Sequence, residues 1–125
     1  MALIQSVRVW GFGSFFVEGS ISARDIDLLI VHEDLSRASI EFVIRYKSFI
    51  VATIPKAHIV MLSTQEEANV EFVTRSKATF LGTSSDEDIP TQIRDLTTRI
   101  LLLKASHRIR GSAVAVREID NVVER

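Results

Sequence analysis

Three short apolar runs dominate the first eighty residues of the chain. Val7 to Phe12 is rich in β-branched and aromatic residues and ends beside glycine, and Ile26 to His32 is a nearly continuous apolar run. The segment 57–63, AHIVMLS, has the same character. Runs of this length and composition predict strands, and the run at 26–32 predicts a central strand that is covered on both faces.

Helical periodicity follows the second run. Between Ser36 and about Ala52, apolar residues recur every three or four positions, and Pro55 comes just after them. This spacing predicts a helix that ends before the proline. The predicted inward positions, of which one is polar, are Ile40, Val43, Ile44, Lys47 and Val51.

The third run is followed by a capping signal. Ser63 or Thr64 stands three residues before Glu66 or Glu67, a spacing typical of a capping box. The pattern predicts a helix to about Lys77. Its predicted inward residues are Val70, Val73 and Ala78.

The last third of the chain is predicted to be helical after one loop. The segment 82–90, GTSSDEDIP, gathers loop-forming residues, and the following apolar spacing predicts a helix with Ile93, Leu96, Ile100 and Leu103 inward. A further helix is predicted over 113–125. The element order predicts one α/β (α+β) domain over 1–125, a small mixed β-sheet flanked by helices, with its core at about 7–80 and C-terminal helices at about 89–125.

Composition narrows the class of protein. The 125 residues include 15 Lys and Arg against 16 Asp and Glu, so there is no global basic field for nucleic-acid binding, and any contact with nucleic acid would have to be local. The absence of cysteine excludes disulfides and thiolate chemistry. No apolar run approaches bilayer-spanning length and the start lacks a signal-peptide pattern, so we expect a cytoplasmic protein without membrane contact.

Asp25 and Asp27 are the first candidate site residues. Residues two apart on a strand share a face, so the two carboxylates are predicted to lie side by side, with Ile26 and Leu28 on the opposite face. Two carboxylates this close repel each other unless a cation meets them. Mg²⁺, which takes carboxylates together with phosphate oxygens, is the predicted cation, and a phosphate-bearing ligand is implied.

Gly13 and Ser14 supply the complementary signal. A glycine lets the backbone approach a phosphate, and consecutive amides at a tight turn bind anions, with the serine hydroxyl as a further donor. Ser14 precedes Asp25 by eleven positions. The neighbouring Phe15 and Phe16 have two interpretations, either core packing or stacking against a nucleobase.

These segments together resemble a known family. GFGS followed by DIDLLIV, and then AHIVMLSTQEE, is similar to the signature of the DNA polymerase β-like nucleotidyltransferase superfamily and its minimal nucleotidyltransferase branch. The resemblance covers residues 7 to about 80. It implies Mg²⁺-dependent transfer of a nucleoside monophosphate from a nucleoside triphosphate (ATP or another NTP), a metal held by Asp25 and Asp27, and a triphosphate held by Gly13 and Ser14. It also implies a helical partner in a toxin–antitoxin or defence setting.

Two positions depart from the family pattern. The family's third carboxylate stands near the start of the third strand, where this chain has His58, and Glu18 brings negative charge near the triphosphate, which Arg24 beside Asp25 offsets. His58 is therefore either a replacement catalytic residue or a structural one. Two functions stay open: a nucleotidyltransferase acting on an unknown protein, RNA or small-molecule acceptor, or a catalytically weak nucleotide-sensing or partner-binding module.

The C-terminal helices carry a prediction about partners. Residues 100–103, Ile-Leu-Leu-Leu, would encircle a helix, so at least one of them would face away from the domain. We expect a homo-oligomer or a helical partner protein to cover that surface, unless the terminal helix folds back over it.

Overall fold

The computed structural model describes residues 5–17 and 25–103. This part of the chain forms four strands and five helices. In chain order they are β1 (Ser6–Phe12), α1 (Ser14–Val17), β2 (Ile26–His32), α2 (Arg37–Thr53), β3 (Ala57–Ser63), α3 (Thr64–Val70), α4 (Phe72–Ser76), β4 (Thr79–Ser85) and α5, which is described over 89–103. The predicted helix over 113–125, and the predicted site positions Glu18 and Arg24, lie outside the described residues.

The four strands form one mixed sheet in the order β3-β2-β1-β4. β1 runs antiparallel to β2 and to β4, and β2 runs parallel to β3. The predicted class, α/β with a small mixed sheet, is confirmed at this level. No helix in the described ranges has the length and apolarity needed to cross a membrane.

One face of the sheet, here called the core face, carries the main hydrophobic core. Val9, Leu28 and Ile30 on this face are buried with residues of α2 and α5. The α5 positions predicted to point inward are confirmed, because Ile93, Leu96 and Ile100 are buried and Leu103 is partly buried against the same core. Tyr46 of α2 crosses this core to reach β4, where its hydroxyl hydrogen-bonds Ser84 at 2.8 Å. Burial raises the pKa of Tyr46, against a smaller opposing effect of that bond.

The predicted inward face of α2 was largely wrong. The helix begins after Ser36, whose hydroxyl accepts a hydrogen bond from the Ser39 amide. Its buried residues are Ser39, Phe42, Val43, Tyr46 and Ile50, whereas Ile40, Ile44 and Val51 are exposed. The helix carries two apolar stripes, and the stripe with the larger aromatic side chains is the one the sheet covers, because it buries more surface.

The capping box after β3 is confirmed. The amide of Glu66 donates to the Ser63 hydroxyl at 3.1 Å, and the amide of Ser63 donates to the Glu66 carboxylate at 2.9 Å. The bond from the Ser63 amide, and after it the interaction of the Ser63 hydroxyl with the same carboxylate, hold the pKa of Glu66 below its ordinary value.

The single long helix predicted after that cap was wrong. The chain leaves helical geometry at Glu71, which has left-handed backbone angles (φ 52°, ψ 44°), and resumes as α4. Val70 is exposed and Ala78 lies beyond the helix, so neither is an inward helical residue; Val73 is partly buried. A left-handed non-glycine residue costs about 1 kcal/mol or more, which the contacts of the second helix must offset.

The loop predicted over 82–90 was wrong in its first half. Residues 82–85 belong to β4, which pairs with β1, and the described helix α5 starts at 89. The pairing slips by one residue between Val9 and Trp10, so Leu81 bulges, and its carbonyl accepts a hydrogen bond from Arg99. Pairing with β1 overrides the turn preference of the Gly and Ser residues.

Candidate functional site

Three strands bring one row of side chains together at one end of the sheet. Asp27 of β2 is in register with Phe12 of β1 and with His58 of β3. Residues in register on paired strands project to the same face. Because Leu28 lies on the core face, Asp27 and its two neighbours lie on the other face, here called the site face.

Asp25, Asp27 and His58 form the centre of the candidate site. Asp25 directly precedes β2, and the Ile26 amide donates to the Lys56 carbonyl at 3.0 Å, which anchors this end of β2 beside β3. The His58 ring lies between the carboxylates: Nε2 is 3.6 Å from an Asp25 oxygen, and Nδ1 is 3.9 Å from an Asp27 oxygen. The side chains are 51% (Asp25), 27% (Asp27) and 64% (His58) exposed, so a ligand has access.

Gly13 lies directly against the Asp27 carboxylate. Its φ is +79°, in the left-handed region that favours glycine, and a Cβ atom built on it would overlap the nearest carboxylate oxygen of Asp27. Ser14, the next residue, is exposed and begins α1. The structure therefore brings the predicted Gly13-Ser14 turn and the predicted carboxylates into one place.

In the described part of the chain, the carboxylates of Asp25 and Asp27 have no Lys or Arg partner. Within residues 5–17 and 25–103, neither makes an ion pair with Lys or Arg, and the base within 4 Å of both is His58. Two neighbouring carboxylates that are partly shielded from solvent by the protein attract any available cation.

The donor set suits a Mg²⁺ ion whose shell is completed by waters or phosphate, and it does not suit a metal site built from protein ligands alone. The described ranges hold no group of three or more His, Cys, Asp and Glu side chains arranged to bind a metal. Mg²⁺ is bound through one or two carboxylates, with waters and substrate phosphates completing its shell, and Asp25 and Asp27 offer that number. The imidazole of His58 suits softer ions. The residues therefore fit a magnesium ion that arrives together with a phosphate ligand.

The two candidate stacking residues do not line this site. Phe15 and Phe16 are buried, their rings lie 4.9 Å apart, and Phe16 packs against Gly11. Of their two interpretations, the structure favours core packing.

Sequence reasoning missed the aromatic partner of Phe12, the residue in register with Asp27. Phe72, the first residue of α4, packs edge-to-face on Phe12 with ring centroids 4.9 Å apart. No sequence signal marks this contact, because it depends on the left-handed turn at Glu71, a residue type that rarely adopts that conformation.

Comparisons of the chain with family models, with curated proteins and with solved structures gave no match.

Proposed function

We propose that the protein is a Mg²⁺-dependent nucleotidyltransferase with a polymerase-β-like fold, which transfers a nucleoside monophosphate from a nucleoside triphosphate to an acceptor hydroxyl. One observation carries the proposal: the Gly13 turn is packed on the carboxylate of Asp27, with Asp25 beside it. A close backbone turn that can receive phosphate thus adjoins acids that can hold the ion accompanying it.

The strand arrangement supports the same proposal. An antiparallel pair, β1 and β2, carries Gly13-Ser14 and the Asp pair, and a parallel neighbour, β3, carries the third position in register with Asp27. It agrees with the small mixed sheet that the resemblance in sequence implies, with His58 at the place of the third acid.

Each site residue has a defined role in the proposal. Asp25 and Asp27 would hold Mg²⁺, which when bound neutralises charge on the phosphates. The turn at Gly13 and Ser14 would hold the triphosphate, and Arg24 is proposed to assist. The acceptor oxygen bonds to the α-phosphorus, the bond to the β-phosphate oxygen breaks, and pyrophosphate leaves with that electron pair. His58, the base nearest both acids, would receive the hydroxyl proton.

A second candidate function rests on His58 itself. An imidazole is a poorer Mg²⁺ ligand than a carboxylate, so a site with His58 in the third position could bind a nucleotide with little turnover. The protein would then act as a nucleotide-sensing or partner-binding module. Binding without transfer would favour this function over the first.

The substitution His58→Asp distinguishes these functions. It should strengthen Mg²⁺-dependent nucleotide binding by about fivefold and raise transfer, because one added charge 4 Å from a cation contributes about 1 kcal/mol even in water. Binding would be measured by calorimetry and transfer with labelled nucleoside triphosphates. His58→Asn serves as the uncharged control. Robust wild-type transfer that His58→Asp destroys would contradict this expectation and show that proton transfer at this position requires the imidazole, which a carboxylate does not replace.

We also propose that α5 contacts a second copy of the chain or a helical partner. Leu101 and Leu102 are 59% and 64% exposed, whereas Ile100 is buried, so the predicted outward-facing residues exist. Leu101→Ser with Leu102→Ser should weaken self-association by about 100-fold, since each buried leucine contributes roughly 1.5 kcal/mol or more.

Sedimentation equilibrium measures this effect. Leu35→Ser is the matched control, because Leu35 is equally exposed but lies ahead of α2. A wild-type chain that stays monomeric at high micromolar concentration would contradict self-association and leave a different helical protein as the partner to be sought.

A further inference from the structure

Phe12 and Phe72 form an aromatic pair beside Asp27, where a nucleotide bound at the site could place its base. Phe12 neighbours Gly13 in the chain and Asp27 across the sheet, on the site face. Phe72 covers it edge-to-face, at an interplanar angle of 85°. Both side chains are partly exposed, in contrast to the buried Phe15 and Phe16.

The helix that begins with Phe72 has a strained backbone at both of its ends. Glu71 and Lys77, at the two ends of α4, both have left-handed backbone angles although neither is glycine. Such strain persists where surrounding contacts fix it, and it occurs often at ligand sites. One of those contacts is a hydrogen bond, in which the Val73 amide donates to a Glu67 carboxylate oxygen at 3.1 Å. The turn at Glu71, between α3 and α4, therefore holds Phe72 against Phe12 on the site face.

We propose that Phe12 and Phe72 form the nucleobase-binding surface of this site, with the base stacked on Phe72. The inference rests on the proposed function, and it names the substrate class more narrowly. The two rings offer apolar faces and no hydrogen-bonding groups, so they recognise a base by stacking and not by its edges. Every base has such a face, and the larger purines cover more of it. The site takes nucleoside triphosphates of any base, purines more tightly than pyrimidines.

The test compares ligands with and without a base. Calorimetric titration of the full chain with Mg²⁺ would use ATP, CTP and inorganic tripolyphosphate. The wild type should bind ATP about tenfold more tightly than tripolyphosphate, with CTP between them, because stacking on one aromatic ring contributes that much or more. A wild type that binds ATP and tripolyphosphate equally would overturn the inference, and this comparison needs no variant.

Four variants distinguish stacking on an aromatic ring from contact with any large apolar side chain. Phe72→Ala and Phe72→Leu should weaken ATP binding about tenfold and leave the affinity for tripolyphosphate unchanged. Phe72→Tyr should bind both ligands as the wild type does. Phe80→Ala is the matched control, since Phe80 also pairs with an aromatic residue, Trp10, at 4.9 Å, but is not in register with Asp27. Normal ATP binding by Phe72→Leu, or an equal loss of ATP and tripolyphosphate binding, would contradict stacking.

Failure of this inference is distinguishable from failure of the proposed function. If both ligands bind equally, and binding disappears in Asp25→Asn with Asp27→Asn, the phosphate and metal site stands and the base-binding surface does not. If neither ligand binds in a manner that depends on those acids, both proposals are overturned.

Discussion

Replacing both site carboxylates, Asp25→Asn with Asp27→Asn, is expected to weaken Mg²⁺-dependent nucleoside triphosphate binding by about 100-fold or more. Each unit charge at 4 Å from a cation contributes roughly 1 to 4 kcal/mol, depending on how far solvent screens it. The fold should be retained or slightly stabilised, because the substitution removes repulsion between two partly exposed acids that lack a Lys or Arg partner in the described part of the chain. Calorimetry with and without Mg²⁺, together with urea unfolding, measures both effects.

The chain contains a matched control for this substitution. Asp86 and Asp88 have the same spacing, but they lie between β4 and α5, where Asp88 accepts a hydrogen bond from the Thr91 amide. Asp86→Asn with Asp88→Asn removes the same charge and keeps a side-chain acceptor at the helix start, so nucleotide affinity should not change. Equal affinity of the wild type and the Asp25/Asp27 variant would contradict the metal site.

Gly13→Ala is expected to reduce nucleotide binding at least about tenfold and to lower the free energy of unfolding by about 1 to 2 kcal/mol. The stability loss follows from the left-handed backbone at φ +79°. The loss of binding has a separate cause, because the new Cβ atom would displace the Asp27 carboxylate on which the turn is packed. Urea unfolding and calorimetric titration report the two effects independently.

Gly82→Ala separates stability from binding. Gly82 also has a positive φ, +145°, but its added Cβ would meet the Arg99 guanidinium and not a site residue. This variant should lose stability and keep wild-type nucleotide affinity. A Gly13→Ala protein that binds nucleotide as well as Gly82→Ala does would show that the turn takes no part in binding.

The parts of the fold that the sequence predicted are those with a strong local signal. The predicted runs 26–32 and 57–63 coincide with β2 and β3, because both are continuous apolar runs flanked by loop-forming or capping residues. The capping box at Ser63 and Glu66 was equally readable, since both of its hydrogen bonds join residues three apart.

The errors occurred where tertiary contacts decide the outcome. On α2, Ile40, Ile44 and Val51 form a regular apolar stripe, and nothing local shows that the stripe with Phe42 and Tyr46 meets the sheet instead. Thr79–Ser85 contains glycine and three Ser or Thr residues in its last four positions, which favour a turn, and it becomes a strand by pairing with β1.

The candidate site was predictable in its residue types and less so in its geometry. The i, i+2 rule places Asp25 and Asp27 on one face, and it needs no knowledge of the fold. The register that sets His58 beside Asp27, and the turn that brings Phe72 onto Phe12, join residues far apart in the chain. Such contacts depend on strand pairing and on a strained backbone at Glu71, which composition and periodicity do not encode.

A label-transfer measurement tests the proposed nucleotidyltransferase activity most directly. The full chain would be incubated with Mg²⁺, candidate acceptors and either α-³²P or γ-³²P nucleoside triphosphate. The proposal predicts that α-label becomes covalently attached to an acceptor, that γ-label is released as pyrophosphate, and that Asp25→Asn with Asp27→Asn abolishes the transfer. Attachment of γ-label, or attachment of α-label that persists in that variant, would contradict it.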